Sequence, residues 1–160
     1  MRFLQTTEHA IDSLVYMAVH QDREPILVSE IAKAQHLSAP YLSKVFQRLA
    51  HEGVLRSYRG AKGGYALARD PSAISLQDIV RVTEGESPMY QCMAIVRRCE
   101  LGSGCRIIRT FQEAEDAFLG VLAKVSLADV VADLRGQRQG VPWIRDEARS
   151  GVRAGAPEGE

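Results

Sequence analysis

Two helices and a hairpin are predicted by residues 28–69, VSEIAKAQHLSAPYLSKVFQRLAHEGVLRSYRGAKGGYALAR. Ser29 is predicted to cap a short first helix and Ser38 a longer second one, in which Pro40 is tolerated because it lies in the first turn. A tight connection around His36 joins the two helices. The second helix has apolar residues at helical spacing, which predict a buried stripe: Leu42, Val45, Phe46 and Leu49. This order is typical of a helix-turn-helix, whose second helix can enter a major groove.

The second helix keeps a polar outer face, which comprises Tyr41, Ser43, Lys44, Gln47 and Arg48. Gly53 is placed to end this helix in a left-handed conformation. The hairpin that follows has the strands VLRSY and YALAR and the Gly-rich turn RGAKGG. Arg59 and Lys62 put two cations at its tip, which predicts a basic wing that can reach phosphates or an adjacent minor groove. The alternative is a solvated hairpin that contacts no nucleic acid.

The formal net charge of the 160 residues is zero, but the charges are segregated. Residues 41–69 hold six Lys or Arg and one Glu, a local net charge of +5. Residues 110–134 hold five Asp or Glu and one Lys, a local net charge of −4. A basic segment inside a neutral chain is the electrostatic footprint of a surface that binds a polyanion. The sequence therefore predicts that the helix-turn-helix and the wing bind double-stranded DNA.

Length and composition favour one compact domain, or one small domain with an added dimerisation element. The hydrophobic content of 46% is enough for a core, and the charged content of 25% is that of an ordinary soluble protein. No apolar run approaches the roughly 18 residues that a membrane-spanning helix needs. We therefore expect no membrane association and a cytoplasmic protein.

The regions on either side of the helix-turn-helix carry helix signals as well. Thr6 or Thr7 can cap a first helix. Ser75 and Asp78 form a capping-box-like start for LQDIVRV, and Ser126 can cap a last helix, LADVVADL. Between these two helices, apolar residues recur at alternating intervals of four and three residues: Ile107, Phe111, Ala114, Phe118, Val121 and Val125. This apolar stripe is too long for one small core to cover. This stripe predicts a dimerisation helix, with packing inside its own chain as the alternative.

All three cysteines lie in residues 90–107, YQCMAIVRRCELGSGCRI, with six residues between Cys92 and Cys99 and five between Cys99 and Cys105. Cytosolic thiols are mostly kept reduced, so this clustering favours metal binding or redox sensing over a structural disulfide. Three thiolates in one short loop can converge on one soft metal centre. Zinc is an alternative, although the paired C-x-x-C spacing of zinc ribbons is absent. Another is a metal-free switch in which two cysteines form a regulatory disulfide.

No catalytic motif accompanies the cysteines. The sequence lacks a coherent pairing of a nucleophile with a His or an acid, a phosphate-binding loop and a metalloprotease signature. We therefore expect no enzymatic activity. A protein-interaction module that keeps this fold without binding DNA is an alternative of a different class.

The segments RGAKGGYALAR, residues 59–69, and ISLQDIVRVTEG, residues 74–85, followed by a cysteine cluster, resemble the IscR/NsrR/RirA regulators of the bacterial Rrf2 family. The similarity runs from Met1 to about Leu134. It implies a fold that is mainly α with a small β wing, namely a winged helix-turn-helix domain plus a long dimerisation helix. It also implies a homodimeric transcription regulator, expected to be a repressor, that binds a palindromic operator and no RNA.

The same resemblance implies which residues contact DNA. By this resemblance, the residues that correspond to DNA-contacting positions are Ser38, Pro40, Tyr41, Ser43 and Lys44 in the second helix and Arg59 and Gly60 in the wing. Together with neighbouring polar and basic residues, the candidates are Ser29, Ser38, Ala39, Pro40, Tyr41, Ser43, Lys44, Arg48, Arg59, Gly60 and Lys62. Ser43 stands where IscR-like members usually have an acidic residue.

The resemblance further implies an iron-sulfur cluster, 4Fe-4S rather than 2Fe-2S, that is bound by Cys92, Cys99 and Cys105 and senses nitric oxide, iron or redox state. The IscR-like pattern places a His three residues after the third cysteine, where this chain has Ile108. The chain is more similar to the nitric-oxide-sensing NsrR branch, in which an acidic residue near the start of the other subunit's first helix completes the site. Glu8 occupies that position. Its alternative role is to stabilise the helix N-terminus through the macrodipole.

These inferences divide the chain into four parts. Residues 1–85 are predicted to form the winged helix-turn-helix domain and residues 86–106 the cluster-binding cysteine loop. Residues 107–135 are predicted to form the dimerisation helix and a short C-terminal helix. Residues 136–160, which are rich in Gly, Pro and charge, are predicted to be a flexible tail.

Overall fold

Three α-helices lie between residues 5 and 51. A computed structural model describes residues 5–60, 63–85, 88, 90 and 104–136. In it, α1 spans Gln5–Val19, α2 spans Val28–Ala34 and α3 spans Ala39–His51. A short 3₁₀ helix, Gln21–Arg23, lies between α1 and α2. The order of a short helix and a longer helix after α1 is the predicted helix-turn-helix.

The start of α3 and the turn before it agree with the sequence prediction. Ser38 is the N-cap residue, and its hydroxyl accepts a hydrogen bond from the backbone N–H of Tyr41. His36 adopts a left-handed φ of 55°, which reverses the chain between α2 and α3. The predicted stripe is buried, with exposures of 0 to 4% at Leu42, Val45, Phe46 and Leu49. Gly53, just after the helix, has a φ of 70° and ends it as predicted.

Two predicted caps are wrong. Thr6 and Thr7 both lie inside α1. Thr7 is buried and its hydroxyl pairs with the hydroxyl of Thr83 instead of capping the helix. Ser29 lies in the first turn of α2, exposed, whereas the N-cap position belongs to Leu27, which makes no side-chain cap.

The predicted hairpin is present as a two-stranded antiparallel sheet. Strand β1 spans Leu55–Tyr58 and strand β2 spans Gly64–Leu67, with Leu55 opposite Leu67 and Tyr58 opposite Gly64. Tyr65 of β2 also pairs with Ile26, through N–H···O bonds of 2.8 and 2.9 Å in the two directions. This bridge attaches the wing to the segment that leads into α2.

In the part of the chain that the structure describes, a 3₁₀ helix and three α-helices follow the wing. A 3₁₀ helix, Pro71–Ala73, precedes α4, which spans Leu76–Glu84; α5 spans Arg106–Leu122 and α6 spans Leu127–Gly136. The start of α4 is the predicted capping box, in which Ser75 and Asp78 bond to each other's backbone N–H. Ser126 and Asp129 make the same reciprocal bonds at the start of α6. Helix α5 ends before Val125, so this residue does not extend the apolar stripe of the helix as predicted.

The core gathers buried side chains from α1, α2, α3, α4, the wing and α6. Helix α6 packs on α1, where its residues Leu127 and Val131 are 0 and 6% exposed. Helix α5, in contrast, contributes no buried residue. The architecture is thus mainly helical with a small wing, as predicted, and one long helix stands outside the core.

Candidate functional site

The first two turns of α3 present most of the predicted DNA-binding residues on one exposed surface. Ser38, Pro40 and Lys44 are exposed, and Ala39 and Ser43 are half-buried. The hydroxyl of Ser43 donates to the carbonyl of Ala39 at 2.8 Å, a bond within the helix. The ammonium of Lys44 is therefore the cation that this surface offers to an incoming polyanion.

Tyr41 and Arg48 lie on α3 too, but both side chains contact other helices. The hydroxyl of Tyr41 is 3.0 Å from Nδ1 of His9 and 3.3 Å from Oγ1 of Thr6, both in α1. A guanidinium nitrogen of Arg48 donates to the backbone carbonyl of Val82 in α4, at 2.7 Å. The prediction that Tyr41 and Arg48 face outward therefore holds only in part, because their polar ends are engaged within the chain.

The wing carries a second group of predicted contacts. Of these, Arg59 and Gly60 are exposed at the start of the turn. Arg56 and Tyr58 of β1, which were not among the predicted contacts, are exposed as well. Lys62 lies outside the described residues. Ser29, on α2, is exposed as well. The exposed basic residues of α3 and of the wing are consistent with a surface that accepts phosphates.

Cys105 is the one predicted cluster ligand among the described cysteines, because Cys92 and Cys99 lie outside the described residues. It is the N-cap residue of α5, half-buried, with a free thiol that makes no capping hydrogen bond. The N-terminus of this 17-residue helix stabilises negative charge through the macrodipole. A soft sulfur donor at this position fits an anionic metal-sulfide centre. Within the described ranges, no group of three or more His, Cys, Asp or Glu could hold a metal ion.

Glu8, the predicted ligand from the partner subunit, lies exposed in the first turn of α1. Asp12 follows one turn later on the same face of α1. Burial raises the pKa of the Asp12 carboxyl, while nearby His9 lowers this pKa and Glu8 raises it. Of the two carboxylates, Glu8 is the exposed one, whereas Asp12 is half-buried. The spacing of four between Glu8 and Asp12 is the sequence signal that could have identified this pair.

The predicted dimerisation helix has an apolar face that the other described residues leave largely open. Ile107, Phe111 and Val121 are 56, 40 and 63% exposed. The ring of Tyr90 stacks on that of Phe111, with centroids 4.6 Å apart, and covers a small part of this face. Exposed apolar side chains aligned on one long helix mark a protein interaction surface.

Two of the contacts of this site were not predicted from the sequence. They are the bond between His9 and Tyr41, which are 32 positions apart, and the bond between Arg48 and Val82, which are 34 positions apart.

No helix in the ranges that the structure describes is both long and apolar enough to cross a membrane.

Comparison with known proteins gives a family match over most of the chain. The model of the Rrf2 family, described as iron-dependent transcriptional regulators, matches residues 3–133. The chain is 33% identical to the HTH-type transcriptional regulator NsrR of Geobacillus kaustophilus over 134 residues, which cover 83% of this chain and 91% of that protein. Two solved structures are similar with TM-scores of 0.64. CymR, the global cysteine regulator of B. subtilis, is 27% identical and is matched over 82% of this chain and 97% of its own. IscR of T. potens is 26% identical, over 88% of this chain and 92% of its own. The chain therefore belongs to the Rrf2 family of transcriptional regulators.

Proposed function

We propose that this protein is a homodimeric repressor that binds a palindromic DNA operator and whose binding is controlled by an iron-sulfur cluster. The observation that carries the proposal is the exposed start of α3 beside the basic wing, in a chain that belongs to a family of transcriptional regulators. In such an arrangement the second helix of the helix-turn-helix enters the major groove and the wing contacts the neighbouring backbone. Ser38, Lys44 and Arg59 are the exposed residues that we assign to DNA contacts. Lys62 would add a second cation at the wing.

The second subunit is a copy of this chain that packs on α5. The open apolar face of α5 runs from Ile107 to Val121, and an exposed apolar patch on one side of a long helix is typical of a surface that binds another protein. Packing two copies of this face against each other around a twofold axis would bury both. The same axis would place two α3 helices at the two halves of a palindromic operator.

The cluster would be held by Cys92, Cys99 and Cys105 of one subunit and by Glu8 of the partner subunit. The family description as iron-dependent and the similarity to proteins named NsrR and IscR support an iron-containing centre here. When bound, such a cluster supplies a centre that reacts with nitric oxide or changes with iron supply and redox state. A carboxylate oxygen is a hard donor beside three soft sulfurs, so Glu8 would be the weakest and most exchangeable ligand. Through Glu8, the cluster would connect the cysteine loop of one subunit, residues 86–106, to the DNA-binding domain of its partner, residues 1–85.

The cluster is tested by purification without oxygen. We expect a brown protein whose visible absorption is bleached by nitric oxide. Alanine at any one of the three cysteines should abolish assembly, whereas Glu8→Ala should give a cluster that is lost faster. A colourless protein that contains zinc would refute the cluster. Unchanged cluster stability in Glu8→Ala would refute the assignment of Glu8.

DNA binding is tested by selecting duplexes from a random-sequence library with the cluster-loaded protein. We expect the selected sequences to share a palindrome and the affinity to fall steeply with added salt, because Lys and Arg displace counterions from phosphates. A library that shows no enrichment would refute the regulator function and would favour a protein-interaction module.

A metal-free thiol switch is the second candidate. It is favoured by the free, half-buried thiol of Cys105 and by the similarity to CymR, a global cysteine regulator. For this function, the protein purified without oxygen would contain neither iron nor zinc. Its affinity for the selected duplex would then change on treatment with a disulfide-forming oxidant and return with a thiol reductant.

A further inference from the structure

The hydroxyl of Tyr41 forms hydrogen bonds with the start of α1 and does not point into solvent. Its hydroxyl donates to Oγ1 of Thr6 at 3.3 Å and lies 3.0 Å from Nδ1 of His9. Both bonds can form together, because the tyrosine oxygen can accept an N–H from the imidazole while its own proton goes to Thr6. The His9 ring also meets the Tyr41 ring edge-on, with centroids 5.6 Å apart. The hydroxyl is thus occupied by α1 and is not available to a base edge.

The turn that holds Tyr41 is also the turn that carries Glu8. Thr6 and His9 bind Tyr41, and the hydroxyl of Thr7 contacts both Thr83, at 2.8 Å, and the carboxylate of Glu84. Among residues 6–9, Glu8 is the exposed one. Three neighbours are therefore fixed to other helices while Glu8 itself can reach a ligand outside its own chain.

Arg48 makes a second contact between α3 and a neighbouring helix, here α4. Its guanidinium donates to the carbonyl of Val82 at 2.7 Å, and Val82 directly precedes Thr83, the partner of Thr7. Helix α3 is thus joined to α1 through Tyr41 and to α4 through Arg48. Since Thr7 and Thr83 join α1 to α4, the three helices form a closed set of contacts.

We propose that Tyr41 and Arg48 are positioning residues that transmit the state of Glu8 to α3, and that they are not residues that read bases. This inference rests on the proposed function, in which Glu8 binds the cluster of the partner subunit. A ligand that pulls on Glu8 displaces the turn around it, and α3 moves with this turn because the hydroxyl of Tyr41 is bound there. Closely packed helices have few stable arrangements, so a small displacement at one contact reorients the whole helix.

The test is the variant Tyr41→Phe, which removes the hydroxyl and keeps the ring. The readout is the ratio of the dissociation constants of cluster-loaded and cluster-free protein for one selected duplex. We expect the visible absorption of the loaded variant to match the wild type. The ratio should move toward one by roughly two- to tenfold, as expected for the loss of one hydrogen bond. Arg48→Met should also move the ratio toward one, although its lost charge weakens the binding of both forms.

Tyr65→Phe is the matched control, because the described residues offer its hydroxyl no hydrogen-bond partner, and its ring packs edge-on against Phe46. This control should leave the ratio unchanged. If Tyr41→Phe weakens the loaded and the cluster-free form equally, the hydroxyl contacts DNA and the inference is overturned. It is likewise overturned if neither affinity changes. A wild-type protein without a visible absorption band would refute the proposed function itself, and with it this inference, before any variant is compared.

Discussion

The hydroxyls of Thr7 and Thr83 lie 2.8 Å apart in the buried contact between the first turn of α1 and the last turn of α4. The two residues are 1 and 3% exposed and are 76 positions apart in the chain. The carbonyl of Ile79, one turn earlier in the same helix, is an alternative acceptor for the Thr83 hydroxyl, at 3.0 Å. This contact fixes the place where α4 ends relative to the turn that carries Glu8.

We expect Thr7→Val to destabilise the protein by about 1 kcal/mol or somewhat more, because the isosteric side chain leaves polar partners without a hydrogen bond. Urea unfolding at a fixed protein concentration measures the loss. In a double-mutant cycle with Thr83→Val, the two losses should be less than additive, because each single change already breaks the shared contact. Strictly additive losses would mean that the two hydroxyls do not interact.

The caps of α3 and α4 could be predicted from the sequence because they are local. The hydroxyls of Ser38 and Ser75 each accept from a backbone N–H only three residues away, so the pattern alone contains the interaction. The predicted cap of α2 was wrong because of a contact between residues far apart in the sequence. Ile26 pairs with Tyr65 of the wing, and this bridge holds the chain extended up to Leu27, so that the helix begins one residue before Ser29.

The candidate site could be predicted to a similar extent. The exposure of Lys44 follows from helical periodicity, and its predicted outward orientation is confirmed. Glu8 lies near the start of α1, as predicted, and is exposed. The position of the Tyr41 hydroxyl depends on how α1 crosses α3, a packing geometry that no pattern within one helix contains. The open face of α5 was predictable because its stripe is longer than one small core can cover.

Gly64 lies where β2 passes close to the segment before α2. Its φ is 152°, and a Cβ atom at this position would lie 2.5 Å from the carbonyl oxygen of Ile26. We expect Gly64→Ala to destabilise the protein by about 2 kcal/mol, since strain and a backbone clash act together. Gly120, in α5, is the matched control, because a Cβ there meets nothing within 4 Å. Gly120→Ala should stabilise the helix by about 0.5–1 kcal/mol. The midpoint temperature of thermal unfolding should therefore fall in Gly64→Ala and rise in Gly120→Ala.

Glu24 makes the free energy of unfolding depend on pH. Its carboxylate accepts the backbone N–H of Leu67 at 2.9 Å, yet burial raises its pKa and outweighs this bond. Between the ordinary and the raised pKa the folded state binds more protons than the unfolded state, so the contribution of Glu24 to stability falls as pH rises through this window. Glu24→Gln keeps an acceptor and cannot ionise. Its stability relative to the wild type should therefore increase from pH 4 to pH 7, as measured by urea unfolding.

Asp129 provides a control, because its pKa is shifted in the opposite direction to that of Glu24. Hydrogen bonds from Ser126, through its hydroxyl and its backbone N–H, lower the pKa of the Asp129 carboxyl. Its stabilising contribution is present above the unfolded pKa and is lost as pH falls through the folded pKa. Asp129→Asn should therefore lose stability relative to the wild type as pH rises from about 2 to about 5, the range that contains both the lowered and the ordinary pKa of this carboxyl. Parallel pH profiles for this variant and Glu24→Gln would contradict both assignments.

Val121 lies on the open apolar face of α5 and is 63% exposed. If two copies pack on this face, Val121→Lys places two ammonium groups in the interface and should convert the dimer to a monomer, as measured by light scattering. Gln112→Lys introduces the same charge away from the apolar stripe, at an exposed position, and should leave the dimer intact. Circular dichroism should not change in either variant, because α5 contributes no buried residue to the core. A dimer that survives Val121→Lys would exclude this face as the interface.

Lys44 separates phosphate binding from the positioning role that we assign to Tyr41. It is exposed on α3, so Lys44→Ala removes a cation without breaking a described contact within the fold. We expect weaker binding of all duplexes and a salt slope reduced by about one for each half-site, since one phosphate contact is lost per subunit. The ratio between cluster-loaded and cluster-free affinities should stay the same, because the signal passes through other residues. Lys124→Ala removes an exposed cation just after α5 and should change neither quantity. An unchanged salt slope in Lys44→Ala would mean that α3 does not approach the phosphate backbone at this residue.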